Sequence, residues 1–382
     1  MPGEPLPASP AAGVARDRAR GGRPVRGFRA GFTDRNPLVL VVAGLLLVPA
    51  LLGIEHYFVS GAWSDVPLRY WLRKPTDSFT YVSWTVGRTK LQRPPGAGVY
   101  LTGGSSAREA LVSGPALATD VKAAGGPGIT ALDLAFINQN FAETLAIADN
   151  VPAEGSWLLV GVNLGRFTAY PAVNERQVVG RDLLLESAFL RRYVADSYGR
   201  YKHSYTILPG IFSYLTDRLK GSAGRRPGGV SYRQHQYTVS GNHSAKAKER
   251  MVRTWLSKRY PVFERNLDYN LAMLEQVLLR CRQRGVHAVL VELPLNRDVV
   301  GTRFEKAVVQ YEVPVMALAD EYDVPYLDVN KAAAVPDEDF HDLSHLVEPG
   351  RVRWQRQLAK ALVPILQSEG AGRAAGAKVA AR

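Results

Sequence analysis

One stretch decides how this chain is interpreted: Val99-Tyr100-Leu101-Thr102-Gly103-Gly104-Ser105-Ser106. Its apolar residues predict a buried β-strand, and its two glycines allow the chain to turn sharply where that strand ends. A serine placed just after such a turn, at the start of a helix, can present its hydroxyl and its own N–H to a substrate carbonyl. The same residues are also ordinary loop composition, so this segment alone leaves a plain strand–turn–helix open.

Two later segments place further polar residues after predicted strands. The run Trp157-Leu158-Leu159-Val160-Gly161-Val162-Asn163 predicts another buried strand, which ends in Gly-x-Asn. Near the C-terminus, Asp342-Leu343-Ser344-His345 supplies an aspartate and a histidine three residues apart. Taken singly, the asparagine is typical of a strand end, and the Asp-x-x-His pair is typical of a surface turn. Their order along the chain gives the two segments more weight together than either has alone.

Apolar runs alternate with helical segments along most of the chain, without the period-two alternation of half-exposed strands. This pattern predicts an α/β fold in which helices cover both faces of a parallel sheet, a three-layer α/β/α arrangement. In such sheets ligands bind beyond the carboxyl ends of the strands, where Ser105, Asn163 and His345 fall. A long insertion, about 166–260, interrupts the alternation, and we expect it to form a lid or an acceptor groove. The predicted strands are 98–102, 129–136, 157–162, 287–293 and 325–329.

These blocks resemble the SGNH (GDSL-like) hydrolase superfamily of serine esterases and acyltransferases, over roughly residues 96–366. That family has Gly-Asp-Ser or Gly-Gly-Ser after its first strand, Gly-x-Asn after a middle strand and Asp-x-x-His near its end. The resemblance implies a flavodoxin-like sheet and a nucleophilic serine with a histidine base and an aspartate partner. The catalytic residues it implies are Ser105, Ser106, Asp342 and His345, and the oxyanion-hole residues are Ser105, Gly104 and Asn163.

The chain departs from the family pattern in two places. The first motif matches either as Gly103-Gly104-Ser105 or as Gly104-Ser105-Ser106, which leaves two candidate nucleophiles; the strand length favours Ser105. The family's usual third oxyanion donor, a glycine after the second strand, is missing from Phe136-Ile137-Asn138-Gln139-Asn140. Either an amide such as Asn138 or Asn140 takes its place, or the oxyanion hole is incomplete.

The chemistry of a serine nucleophile explains the interest of the Asp-x-x-His pair. A hydroxyl is a weak nucleophile at neutral pH and needs an adjacent base, for which His345 is the candidate. Asp342 can fix the tautomer of that ring. A metal site is an alternative, because His341 and His345 are four residues apart with Asp339 nearby. Zinc, however, needs a third protein ligand, and no His-Glu-x-x-His motif is present. We therefore expect neither a metal nor a cofactor.

The N-terminal part of the chain predicts a membrane anchor. Leu38–Ile54 is an uncharged apolar run of 17 residues, and we expect a transmembrane helix at 37–55. A cleaved signal peptide or a buried core helix are the alternatives. Residues 1–36 carry seven arginines against three acidic residues, show no hydrophobic periodicity and predict a disordered basic arm. The positive-inside rule places this arm in the cytoplasm and the rest of the protein outside, at the cell membrane.

Charge and composition restrict the partners. The chain of 382 residues has a formal net charge of +13, which favours anionic lipid headgroups or cell-wall polyanions. The basic residues are scattered and no nucleic-acid-binding module is recognisable, so we expect no nucleic acid partner. Cys281 is the only cysteine, which excludes an intramolecular disulfide and predicts a packed core residue. We expect a juxtamembrane connector at 56–95, the SGNH-like domain at 96–368 and a disordered tail at 369–382; the oligomeric state stays open.

Together these observations predict an extracytoplasmic, membrane-anchored serine esterase or O-acyltransferase of the cell envelope. Its partners would be an acyl donor and a sugar or polyol hydroxyl acceptor, and tethering at the bilayer would raise the effective concentration of membrane-borne donors. The alternative is a non-catalytic envelope-assembly or glycan-binding protein that keeps the fold. The missing second-strand glycine is the sequence feature that favours this alternative.

Overall fold

A computed structural model describes residues 37–171, 185, 187, 189–190, 204–221, 230–237 and 242–380. The predicted cytoplasmic arm at 1–36 and large parts of the insertion lie outside these residues. The chain divides into two compact units, Met1–Glu55 and His56–Arg382. The second unit contains the sheet and every residue predicted for the site.

Five parallel strands form one sheet, with strand order β2-β1-β3-β4-β5. This is the order of flavodoxin-like doubly wound folds, and the α/β class with a parallel sheet is confirmed. The second and fifth strands are shorter than the sequence predicted. The strands are β1 (Ala97–Thr102), β2 (Ile129–Asp133), β3 (Ser156–Val162), β4 (His287–Glu292) and β5 (Tyr326–Leu327).

In the described part of the chain, helices lie before the first strand, between the strands and after the last strand in sequence. They are α1 (Pro37–Val59), α2 (Ser78–Leu91), α3 (Ser105–Arg108), α4 (Gly114–Ala123), α5 (Phe141–Ala148), α6 (Ser204–Leu219), α7 (Ala245–Thr254), α8 (Tyr260–Arg284), α9 (Arg297–Val300), α10 (Glu305–Tyr322), α11 (Asn330–Ala333) and α12 (Glu348–Ala380). A π-helical turn, Trp255–Arg259, joins α7 to α8.

The central strands are buried on both faces, which is why they lack alternation in the sequence. Tyr100 and Leu158 point into one core, shared with α2, α5, α8 and α10. Their neighbours Leu101 and Leu159 point into a second core, shared with α4 and α12. The apolar runs therefore fill two separate cores, one on each face of the sheet.

Residues 56–95 belong to the same compact unit as the sheet, although the sequence suggested a connector. Val82 and Val86 of α2 are fully buried in the first core. A third cluster is formed around Trp63 and Trp71, and it also contains Tyr214 from α6 of the insertion. The segment and the insertion thus pack on each other, and no periodic pattern in the sequence indicates this contact.

The two ends of the chain differ in how they compare with prediction. The 23-residue helix α1 contains the apolar run at 38–54. Within the described residues, no helix has both the length and the apolar character needed to cross a membrane. At the other end, α12 continues as far as Ala380, into the segment 369–382 for which the sequence predicts a disordered tail. The frequent alanines of this segment have the highest helix propensity and explain the extension.

Candidate active site

Ser105 lies at the carboxyl end of β1, where two glycines lead into the short helix α3. Gly103 has φ +152°, and a Cβ atom at this position would lie 2.6 Å from the Cβ of Ala107. A side chain is therefore excluded from the turn. The Gly103 N–H donates to Oε1 of Gln139 at 2.5 Å, which ties the turn to the segment after β2. These contacts place Ser105 as the first residue of α3.

His345 and Asp342 lie in a tight loop closed by an antiparallel bridge between Phe340 and Leu346. Oδ1 of Asp342 accepts hydrogen bonds from the backbone N–H groups of Ser344 and His345, at 2.9 and 3.0 Å. Nδ1 of His345 lies 2.7 Å from Oδ2 of the same carboxylate. The loop therefore fixes both the carboxylate and the plane of the imidazole.

The loop brings the histidine onto the serine. Nε2 of His345 lies 2.7 Å from Oγ of Ser105, although the two residues are 240 positions apart. The three side chains form one continuous hydrogen-bonded row from Asp342 through His345 to Ser105. In this row Nδ1 faces a carboxylate and Nε2 faces a hydroxyl, the arrangement in which Nε2 can accept the hydroxyl proton.

Asp342 is held in its ionised form. Burial raises the pKa of its carboxyl, but the hydrogen bonds from the His345 ring and from the backbone N–H groups of Ser344 and His345 outweigh that effect and bring the pKa to about 2. The side chains of Asp342 and His345 are only 18% and 14% exposed. A charged carboxylate in this partly desolvated position stabilises an imidazolium ring next to it.

The two candidate serines have different partners. Ser105 contacts the imidazole, whereas Oγ of Ser106 lies 3.2 Å from Oγ of Ser344. Ser106 is also buried, with 7% of its surface exposed. The geometry thus pairs His345 with Ser105 and gives Ser106 a contact that links α3 to the histidine loop.

The predicted oxyanion residues converge at the same place. Gly104 precedes α3, Ser105 begins it, and Asn163 follows β3, the strand paired directly with β1. Oδ1 of Asn163 accepts from the backbone N–H of Arg166 at 3.2 Å. The amide oxygen is therefore turned towards its own loop, and its NH2 group is the end available to the cleft that Gly104, Ser105 and Asn163 line together.

The two asparagines considered as substitutes for the missing glycine, Asn138 and Asn140, both lie in the segment after β2. Asn140 caps α5, with Oδ1 accepting from the Glu143 N–H and the Glu143 carboxylate accepting from the Asn140 N–H. Asn138 has φ +53°, the left-handed conformation that glycine adopts freely and that asparagine tolerates better than most residues. Both asparagines line the cleft. Both therefore remain candidates to supply an amide donor in place of the missing glycine.

A cleft of about 620 Å³ opens beside Ser105 and His345 at the carboxyl edge of the sheet. Its volume is typical of sites for small molecules. Leu164, Leu295 and Leu343 contribute apolar surface, and Asn163 and Tyr170 contribute polar groups. The position agrees with the general location of ligand sites in doubly wound sheets.

A strap from the insertion, Val230–Tyr237, packs against the histidine loop and was missed by sequence reasoning. The Tyr237 ring stacks on His341 at 4.0 Å between centroids and lies 4.9 Å from the ring of His345. The ring of His243 also packs against the ring of His341, with 4.6 Å between the two centroids. The only available signal was the concentration of tyrosine and histidine in the insertion, which does not indicate a partner.

Arg108 and Glu109, which follow the two serines, are buried, although adjacent charged residues on a helix usually face water. They are 1% and 0% exposed. The Glu109 carboxylate accepts from Arg108, from Arg351 of α12 and from the backbone N–H of Gln236 in the strap. Arg351 also donates to the Tyr237 carbonyl oxygen at 2.9 Å. A buried ion network therefore lies next to Ser105 in the chain, and it is closed by residues distant in sequence.

His341 is buried, and its backbone N–H donates to the His345 carbonyl oxygen at 2.8 Å. Its ring belongs to the aromatic stack with Tyr237. Across the residues that the structure describes, no three histidine, cysteine, aspartate or glutamate side chains are grouped so as to hold a metal ion. Its contacts make His341 part of the support for the histidine loop.

No protein-family model matches the sequence of this chain, and comparison with curated proteins finds no match. The roles assigned to the site residues therefore depend on their geometry and chemistry.

Proposed function

We propose that this protein is a serine esterase or O-acyltransferase, as the resemblance to SGNH hydrolases suggests. The observation that carries the proposal is the row from Asp342 through His345 to Ser105, with heavy-atom distances of 2.7 Å at both joints. Such a row is the arrangement that activates a serine hydroxyl. The cleft beside it and the converging amide of Asn163 supply room for an ester and a donor for its oxygen.

The chemistry would proceed in two halves. Oγ of Ser105 attacks the acyl carbonyl while its proton passes to Nε2 of His345, and Asp342 stabilises the resulting imidazolium. The N–H of Ser105 and the amide of Asn163 hold the developing oxyanion. The C–O bond to the leaving alcohol then breaks, and His345 returns the proton to that alcohol. In the second half, water or a sugar or polyol hydroxyl attacks the acyl-serine and releases Ser105.

Ser105 and Ser106 provide a matched pair for testing this function. The purified full-length protein is incubated with a fluorescent fluorophosphonate, which labels activated serines. We expect labelling of the wild type and of Ser106→Ala, and none of Ser105→Ala, because only Ser105 contacts the base. Circular dichroism checks that each variant is folded. Absence of labelling in a folded wild type would contradict the proposal and favour the non-catalytic envelope protein.

The proposed setting is the outer side of the cell membrane, with residues 1–36 in the cytoplasm. The arginine-rich arm before the apolar run supports this orientation. Alkaline phosphatase, which requires export, is fused after Arg382, and a cytoplasm-only reporter is fused at the same position in a second strain. Activity of the exported reporter alone is the expected result. Activity of the cytoplasmic reporter alone would exclude the envelope setting without affecting the serine chemistry.

A further inference from the structure

One wall of the cleft is formed by a helix whose regular winding is interrupted. The helix α7 runs to Thr254, and the π turn Trp255–Arg259 follows it directly. Both Arg250 and Arg259 line the cleft, although they are nine positions apart. In an uninterrupted α-helix, a separation of nine residues places two side chains on roughly opposite sides.

The π turn explains why both arginines reach the same cleft. The N–H of Tyr260 bonds to the carbonyl of Trp255, five residues earlier, so each residue in this turn advances the helix by a smaller angle. The accumulated difference carries Arg259 away from the side opposite Arg250. Such π turns are frequent at functional sites. Here its effect is to place a second guanidinium on the cleft wall.

The charges that line the cleft are mainly positive. Arg166, Arg250 and Arg259 are basic, and Asp342 is the carboxylate among the lining residues. The Asp342 carboxylate is occupied by His345. Arg166 is buried, with its guanidinium donating to the Gly161 carbonyl and to Thr144. Among the described residues that line the cleft, Arg250 and Arg259 therefore remain as exposed cations, and the carboxylate of Asp342 is already engaged.

Arg250 and Arg259 differ from the nearby Arg303 in their ion pairs. Both are exposed, and neither forms an ion pair with any residue that the structure describes. Arg303, on the adjacent segment, is by contrast fully engaged by Glu249, with two contacts of 2.7 Å. Thr254 lines the cleft between the two arginines and adds a hydroxyl. Two guanidinium forks and a hydroxyl suit an anion with several oxygen acceptors.

We propose that Arg250 and Arg259 bind a phosphate group of the substrate, so that the ester processed at Ser105 belongs to a polyol phosphate. This inference deepens the proposed function and rests on it for the acyl chemistry. The binding of phosphate itself does not depend on turnover. A phosphate could come from a water-soluble polyol phosphate or from a lipid headgroup, and both present the same oxygens to the two arginines.

Binding is measured by isothermal titration calorimetry on the full-length protein, with glycerol 3-phosphate as the probe and glycerol as its phosphate-free counterpart. We expect glycerol 3-phosphate to bind at least about tenfold more tightly than glycerol. Arg250→Gln and Arg259→Gln should each weaken its binding by about tenfold, the usual loss for a charged hydrogen bond. Arg253→Gln is the matched control, since Arg253 is an exposed arginine of the same helix that does not line the cleft. It should change the affinity by less than about twofold.

Equal binding of glycerol and glycerol 3-phosphate, or equal losses in Arg253→Gln and Arg259→Gln, would overturn the inference. Competition by dihexanoyl phosphatidylglycerol below its micelle concentration separates the two sources. Stronger competition than by glycerol 3-phosphate assigns the phosphate to a lipid headgroup, and weaker competition assigns it to a soluble polyol phosphate; both outcomes support phosphate recognition. Failure of fluorophosphonate labelling with normal phosphate binding would remove the acyl chemistry and leave this site in place.

Discussion

Replacing Glu109 by glutamine tests the buried ion network that Glu109 forms with Arg108 and Arg351. The Glu109 side chain is fully buried, and its carboxylate is shared by the guanidinium groups of Arg108 and Arg351. Glutamine has nearly the same shape, so the substitution leaves the packing and removes the charge. The NH2 group of the new glutamine then faces a guanidinium. Both groups are hydrogen-bond donors, so no hydrogen bond can form between them.

The expected loss follows from the burial of the charges. Arg108 and Arg351 have side chains that are 1% and 5% exposed, so water cannot replace the lost carboxylate. Breaking a buried ion pair from one side typically costs about 3–5 kcal/mol. The free energy of unfolding of a domain is only about 5–15 kcal/mol, so a large part of the stability should disappear.

Urea unfolding followed by circular dichroism measures this loss. Glu154→Gln is the control, because Glu154 pairs with Arg93 at 3.2 Å but the two side chains are 80% and 62% exposed. An exposed pair contributes about 0–1 kcal/mol. Adding Arg351→Met to Glu109→Gln should cost less than the sum of the single changes, since it removes one of the stranded cations. A loss below about 1 kcal/mol in Glu109→Gln, equal to the control, would refute the role given to this network.

Five further substitutions, at four residues, test the site and the core. Asp342→Asn should lower the rate of p-nitrophenyl acetate hydrolysis by up to about 10⁴-fold, and His345→Ala by at least as much; equal activity to wild type would exclude the serine row. Tyr237→Ala should lower kcat, whereas Tyr237→Phe should keep it near the wild-type value, because phenylalanine retains the ring contact with His345. An inactive Tyr237→Phe variant would show that this ring contact is not what matters. Burial raises the pKa of Glu292 to about 8 despite hydrogen bonds from Tyr311 and Tyr326. Between pH 4.5 and 8, Glu292 loses its proton in the unfolded state but keeps it in the folded state. The free energy of unfolding of the wild type, measured at several pH values, should therefore fall by about 4 kcal/mol over this range. Glu292→Gln should lack this fall.

The parts of the fold that could be predicted are those with a local signal. Buried parallel strands appear as uninterrupted apolar runs, so β1, β3 and β4 could be located from sequence. The glycine turn before Ser105 and the three-residue spacing of Asp342 and His345 are also local. Since parallel strands end at one edge, their order placed these residues together without any knowledge of the contacts.

The parts that could not be predicted depend on partners far along the chain. Arg108 and Glu109 look like surface charges because adjacent charged residues on a helix usually face water. Their burial depends on partners far along the chain, among them Arg351, 242 positions after Glu109, and Gln236 in the strap. The strap at 230–237 has no periodic pattern, and the π turn at 255–259 has no sequence signature that distinguishes it from the helices around it.

The arrangement of these contacts couples the stability of the domain to the alignment of the site. The Glu109 carboxylate accepts the N–H of Gln236, and Arg351 holds the carbonyl of Tyr237, whose ring packs on His345. The same ion network therefore fixes both α3, which carries Ser105, and the strap that supports the base. Loss of Glu109 should consequently lower kcat in the molecules that remain folded, whereas Ser105→Ala should abolish catalysis and leave the free energy of unfolding almost unchanged. A folded Glu109→Gln protein with wild-type kcat would separate the two functions of the network and show that the strap does not position His345.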